Sequence, residues 1–195
     1  KVDRGSDAIE IQKSIGEIYL SQNNIPSAIE NYELVAQFLI KEQREEESIE
    51  IYTKITQLIP ENLDYRQRLI GLYDKSGHKD KVLEEYCSLI NSQAKSGNLE
   101  KAVLTFQQAL KENQNSPELH VCMGNVYFDN QMWDEAIVNF LKVLDASAGY
   151  PGIYSKLTLT CARKGDLDSA VEWSKKLIAS GNVYELVDNV KINEI

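Results

Sequence analysis

Three stretches of the sequence, residues 83–116, 117–150 and 151–184, fall into register when written beneath one another. Ala102, Ala136 and Ala170 then share one column, each 34 residues from the next. Leu89, Met123 and Leu157 share a second, and Ala109, Val143 and Leu177 a third. Phe106 and Phe140 agree where the third stretch has Ser174, and Gly97 and Gly165 agree where the middle stretch has Gln131. A chain that repeats small and bulky positions at a fixed period builds one supersecondary unit several times over. Each unit buries its apolar face against its neighbour, so the fold grows by stacking.

The unit is helical. Val103, Phe106, Ala109 and Leu110 fall at the i, i+3, i+4 spacing of one helix face. The break Lys95-Ser96-Gly97-Asn98 separates two such runs, each of about 14 residues and therefore roughly 21 Å long. Gly97 and Gly165 stand where a helix ends and the chain needs a positive φ. Pro117 and Pro151 open the following units, where a missing N–H costs nothing, and Ser116 precedes Pro117 as an N-cap. With only 10 Gly and 4 Pro in 195 residues, a loop-rich or all-β fold is disfavoured. The pattern predicts ten helices, near 8–22, 26–41, 44–59, 63–76, 79–96, 99–113, 117–130, 133–147, 152–164 and 167–180. They pair into five antiparallel hairpins over 8–42, 43–78, 79–116, 117–150 and 151–181, one repeat domain covering 1–195. Val183, Leu186, Val187 and Val190 continue the spacing, so residues 182–195 read as a capping helix or a tail that docks into a neighbouring molecule.

These residues resemble the tetratricopeptide repeat family. Met123-Gly124, Tyr127, Ala136, Phe140 and Pro151 stand at that family's signature spacing, and Ile15-Gly16, Tyr19, Ala28, Tyr32 and Val35 repeat it. The resemblance is strong over 83–184, good over 9–42 and weak over 43–82. Ala28 and Ala102 are 74 residues apart, six more than two periods, which predicts insertions at Gln43–Glu47 and around Pro60-Glu61-Asn62. A rival register runs through Leu69, Ile70, Tyr73, Gly77, Val82, Tyr86 and Leu89, but Val82 to Ala102 leaves room for one helix and a turn, not two helices. The resemblance implies an all-α solenoid, a right-handed superhelix of about five hairpins whose first helices line a concave groove. Carried over position by position, it implies a partner-binding set of Glu84, Cys87, Asn91 and Lys95; then Glu118, Val121, Asn125, Phe128 and Asp129; then Ser155, Leu159, Ala162 and Arg163. Asn91 and Asn125 suit an extended main chain, because an amide both donates and accepts. Some members clamp a C-terminal carboxylate with Lys and Asn. Here Cys87 and Val121 stand where the clamp needs a base, and Cys122 and Lys156 where it needs Asn, so the groove suits an apolar or amphipathic segment instead.

Charge and chemistry narrow the function classes. Thirty acidic residues against 21 basic ones give a net charge of −9, which repels nucleic-acid phosphates and anionic lipid. No apolar run reaches the length of a membrane span. Cys87, Cys122 and Cys161 are too far apart for a CxxC pair and read as reduced thiols, in keeping with a cytoplasmic setting. The chain opens at Lys1, without initiator Met or signal peptide, and reads as a piece of a longer protein. His78 and His120 lack metal-ligand spacing, and no phosphate loop or nucleophile elbow occurs, so neither cofactor nor metal is expected. Asp134-Glu135, Asp166 and Asp168 mark helix starts, and Glu45-Glu46-Glu47 reads as a solvated first turn. Tyr19, Tyr32, Tyr86 and Tyr127 occupy core columns, not a base-stacking platform. The sequence therefore predicts a non-enzymatic interaction scaffold that takes a peptide or helix of a partner protein. Homo-oligomerisation through the tail, or regulation of an enzyme or sensor in the longer chain, are the alternatives.

Overall fold

The computed structural model describes residues 4–60 and 62–181. Among these, ten α-helices and no strand are seen. They run α1 (Arg4–Ser21), α2 (Ile25–Lys41), α3 (Glu45–Leu58), α4 (Leu63–Lys75), α5 (Lys79–Lys95), α6 (Leu99–Glu112), α7 (Pro117–Asp129), α8 (Trp133–Ala146), α9 (Ile153–Lys164) and α10 (Leu167–Ala179). Every predicted helix is present, with ends within a residue or two of expectation except that α1 starts four residues early. The predicted tail or capping helix, with Val183, Leu186, Val187 and Val190, lies outside the described residues. The chain divides into two compact units, Lys1–Glu85 and Tyr86–Ile195, with the boundary inside α5.

Within the first unit, α1 packs on α2, α2 on α3 and α3 on α4. Ala28, Tyr32, Val35, Ala36, Leu39, Tyr52, Ile55 and Leu69 form the centre of its core. Within the second, α6 to α10 pack each on the next, around a core that includes Ala136, Phe140, Val143, Ile153 and Leu157.

Six connections share one geometry. Asn23, Gln43, Gly77, Gly97, Gln131 and Gly165 each have positive φ, between 57° and 89°. In each case the following N–H donates to a carbonyl five residues back, as in Asn24 to Tyr19, Arg44 to Leu39, Asn98 to Gln93 and Asp166 to Cys161, at 2.8–3.0 Å. The left-handed residue's own N–H donates three residues back. This is the Schellman closure, which satisfies carbonyls that a helix end would otherwise orphan. Asn24, Asn98 and Asp166 then cap the next helix, each side chain accepting from the N–H three residues on. Five residues after each left-handed residue comes Ala28, Ser48, Val82, Ala102, Ala136 or Ala170, all buried. Nine residues after it comes Tyr32, Tyr52, Tyr86, Phe106, Phe140 or Ser174.

The spacing of these turns corrects the expected insertions. The left-handed residues follow one another at intervals of 20, 34, 20, 34 and 34 residues. The turn at Glu42–Arg44 has the same three-residue build as its counterparts, so nothing is inserted there. The six surplus residues arise because α2 and α5 are each both the second helix of one hairpin and the first helix of the next. The remaining connections are of another kind. Pro60 lies between α3 and α4, Pro117 opens α7 behind its N-cap Ser116, and Pro151 lies between α8 and α9. Pro151 lies just ahead of its helix; it precedes Gly152, at φ +74°, and α9 starts at Ile153.

Small residues set the closest approach between helices. A Cβ on Gly16 would lie 2.8 Å from Tyr32 Cε1, and one on Gly124 would lie 2.4 Å from Phe140 Cε1. Both are closer than a carbon contact tolerates, so each aromatic ring occupies the space that its glycine leaves.

Candidate functional site

In the second unit, α7 carries more of the candidate residues than any other helix. The Ser116 hydroxyl accepts from the Leu119 N–H at 3.3 Å and donates to Glu118 Oε2 at 2.7 Å, which fixes the first turn. Leu119, Cys122, Met123 and Val126 turn inward and are buried. That leaves Glu118, Val121, Asn125, Phe128 and Asp129 along the other face, with Glu118 and Asp129 exposed and the other three half-buried. Val121 and Phe128 also pack against the core, and Phe128 meets Trp133 edge-on with centroids 5.2 Å apart. On α9, Leu159 is half-buried while Ala162 and Arg163 are exposed. Ser155 is buried, at 1% exposure, and is held in the packing away from solvent.

One hydrogen bond joins these helices. Lys156 on α9 donates from Nζ to Asn125 Oδ1 on α7 at 2.9 Å, and its Nζ lies 5.9 Å from the Phe140 ring centroid. Burial pushes the Lys156 ammonium below its ordinary value, and the charge of Asp129 works against that shift. On the α5 side, Cys87 Sγ donates to the Glu118 carbonyl at 3.9 Å, while Asn91 and Lys95 are exposed. Burial, reinforced by the charges of Glu118 and Cys87, raises the phenol of Tyr150, which packs against the second core, above its usual range. Glu84 belongs to the first unit, where it pairs with Lys81 at 2.7 Å. Chemically, the face formed by α7 and α9 offers apolar side chains, one amide and one half-buried ammonium.

Sequence reasoning placed Lys156 only as a departure from a clamp, and it missed Tyr150. A signal for the first was available. Asn125 to Lys156 is 31 residues, and so is Cys87 to Glu118. That is one period less three, so a residue meets the position one helical turn before its own column in the next unit.

The histidines and the acidic run have structural partners. His120 packs edge-on against Phe106 and shares a 3.1 Å hydrogen bond with Asn139 Oδ1. His78 packs against Tyr73. Arg44 donates to both carboxylate oxygens of Glu47, and this holds the Glu47 carboxyl below its ordinary value. No helix among the described residues is long and apolar enough to cross a membrane.

A tetratricopeptide repeat model matches residues 29–62, and a second model of the same repeat matches 91–131. The chain carries tetratricopeptide repeats. The first match runs from α2 through α3, which agrees with α2 opening a hairpin as well as closing one. No curated protein matches the sequence. Among solved structures, YrrB, described as a tetratricopeptide repeat protein with an unusual peptide-binding site, is 19% identical over 83% of this chain and 90% of its own, with a TM-score of 0.50. The MamA protein is 19% identical over 91% of this chain and 93% of its own, also at 0.50. The apo form of RapI is 15% identical over 88% of this chain with a TM-score of 0.61, and the match spans 53% of RapI. At such identities these likenesses establish the fold. Tetratricopeptide repeats make the chain a protein-interaction scaffold in general.

Proposed function

We propose that the α7–α9 face of the second unit receives an amphipathic segment, a peptide or a helix, from a partner protein, and that the chain itself performs no catalysis. The contact that carries this reading is Lys156 to Asn125. It engages the amide oxygen, which leaves the NH2 as the group of Asn125 that can donate to a main-chain carbonyl. Phe128, Leu159 and Ala162 supply apolar surface beside it, and Asp129 and Arg163 supply a polar rim. YrrB, which shares the fold, is described as having a peptide-binding site.

The test uses peptides selected from a displayed random library against the full chain. Asn125→Asp keeps the Lys156 contact but removes the NH2 donor, and Leu159→Glu charges the apolar strip. Each is expected to weaken binding about tenfold or more, on the order of 1.4 kcal/mol. Leu104→Glu on α6, which is 57% exposed and lies off this face, is expected to leave binding unchanged. Peptides that lose affinity to Leu104→Glu but not to the other two variants would reject the α7–α9 face.

A further inference from the structure

Cys87 and Cys122 lie on separate helices of the second unit, α5 and α7, and meet there. Cys122 Sγ lies 3.6 Å from the Cys87 carbonyl oxygen, and Cys87 Sγ lies 3.9 Å from the carbonyl oxygen of Glu118, one turn before Cys122. Cys122 thus reaches the main chain of Cys87 itself, which sets the two cysteines side by side between the helices. Their solvent access differs: Cys122 is buried and Cys87 is half-buried. Cys161, the third thiol, is buried on α9.

We propose that Cys87 and Cys122 are a peroxide-responsive dithiol, with Cys87 the attacking thiol and Cys122 the resolving one, whose disulfide ties α5 to α7. The Cys87 sulfur attacks one oxygen of hydrogen peroxide; an S–O bond forms, the O–O bond breaks, and the departing hydroxide takes up the thiol proton as water. The Cys122 sulfur then attacks the Cys87 sulfur. An S–S bond forms, the S–O bond breaks, and the second hydroxide leaves with the Cys122 proton as water. Two thiols lose two electrons in total, and one peroxide becomes two waters.

The roles follow from the surroundings. The neighbouring Cys122 thiol favours the Cys87 thiolate, holding that thiol below its usual value, while the neighbouring Cys87 and burial push Cys122 up. The half-buried sulfur is the one that an oxidant reaches. The second sulfur already touches the backbone of the first cysteine, so closure needs side-chain rotation to bring the pair to about 2.05 Å and no exchange between molecules. Burial raises the Cys161 thiol, which sets it apart as an internal control. The inference does not depend on the α7–α9 face binding a partner, because it is read by covalent mass with no partner present.

The experiment treats the reduced full chain with a few equivalents of hydrogen peroxide, then alkylates, digests without reductant and measures peptide masses. The thiol titre is expected to fall from three to one per chain, with the Cys87 and Cys122 peptides joined and Cys161 alkylated. The melting temperature should rise by several degrees and return on reduction. Cys122→Ser should arrest Cys87 at the sulfenic acid, trapped by dimedone, and Cys87→Ser should slow loss of the Cys122 thiol at least tenfold. A wild-type chain in which Cys87 becomes sulfinic acid while Cys122 is still alkylated overturns the pairing, as does a link through Cys161 or between chains. Equal oxidation of Cys122 in the Cys87→Ser variant overturns the assignment of roles.

Discussion

In the first unit, the aromatic column is filled by Tyr32 and Tyr52, and cations lie across them. Lys54 Nζ is 4.7 Å from the Tyr32 centroid, and the Arg68 guanidinium is 5.8 Å from both Tyr52 and Tyr65. Those cations reach acids on other helices, Lys54 to Glu17 at 3.1 Å and Arg68 to Glu33 at 3.5 Å, and Arg66 reaches Glu85 at 2.9 Å. In the second unit, Tyr86, Phe106, Phe140 and Ser174 occupy the same column, and Phe140 sits against a bare Gly124. Its helices are joined by an amide–ammonium contact, a thiol pair and apolar side chains, with one exposed inter-helix ion pair, Lys164 with Asp134, among the described residues. One turn geometry and one column pattern thus support two different adhesives. Backbone closure fixes where the helices go, and the side chains that hold them there are open to variation.

The largest effect should come from the apolar side of this contrast. Phe140→Ala is expected to cost about 3–5 kcal/mol, with amide exchange protection lost in α7 to α10 and retained in α1 to α3. Retained protection in α8 and α9 would show that the ring does not carry the second core. Next comes Gly124→Ala, which should destabilise by about 1–3 kcal/mol through overpacking against Phe140, although alanine is the better helix former. Gly71, with nothing within 4 Å of a Cβ, makes the matched control; Gly71→Ala should stabilise by about 0.5–1 kcal/mol. Denaturant midpoints that move in the same direction for both variants would break the close-approach argument.

On the electrostatic side, Glu85→Gln keeps the shape of the Arg66 contact and removes its charge. A loss of about 1 kcal/mol is expected, the difference between a charge-assisted bond and a neutral one, and it should shrink in 1 M salt. A loss that is insensitive to salt would mean that shape, not charge, holds that contact. The smallest effect concerns the turns that both units share. Gln131→Gly, at φ +60°, should gain about 0.5 kcal/mol by relieving a left-handed side chain. Gly77→Ala and Gly165→Ala should each lose about 1 kcal/mol, and calorimetry on the three variants compares the units directly.

Nearly all of the helix boundaries were legible in the sequence, because caps and breaks are local. Asn24, Asn98 and Asp166 announce helix starts, and Gly77, Gly97 and Gly165 announce ends. Register through the middle was not legible. A 34-residue template assumes that each helix belongs to one hairpin, and α2 and α5 each belong to two. At Gln43 the left-handed residue is not glycine, so the first 20-residue step carried no glycine flag, while the second, Gly77 to Gly97, is flagged at both ends but holds one helix and a turn, which a 34-residue template rejects. For the candidate site, the face of α7 came from the family resemblance carried over position by position. Lys156 and Tyr150 depend on which turn of one helix meets which turn of the next, information that emerges only from packing. Ser155 was misleading for the same reason, since its column position is right and its burial reflects neighbours that the column does not name.

Ser48 stands in the column that elsewhere holds alanine or, at Val82, valine; it is fully buried, with its hydroxyl donating to the Ala36 carbonyl at 3.2 Å. What that location selects is bulk, since a polar atom is admitted once a lone pair on the facing backbone receives it. A profile that scores this place by hydropathy will therefore pass over genuine members, whereas one that scores it by molar volume would retrieve serine, alanine and valine together and would extend recognition into stretches that look eroded.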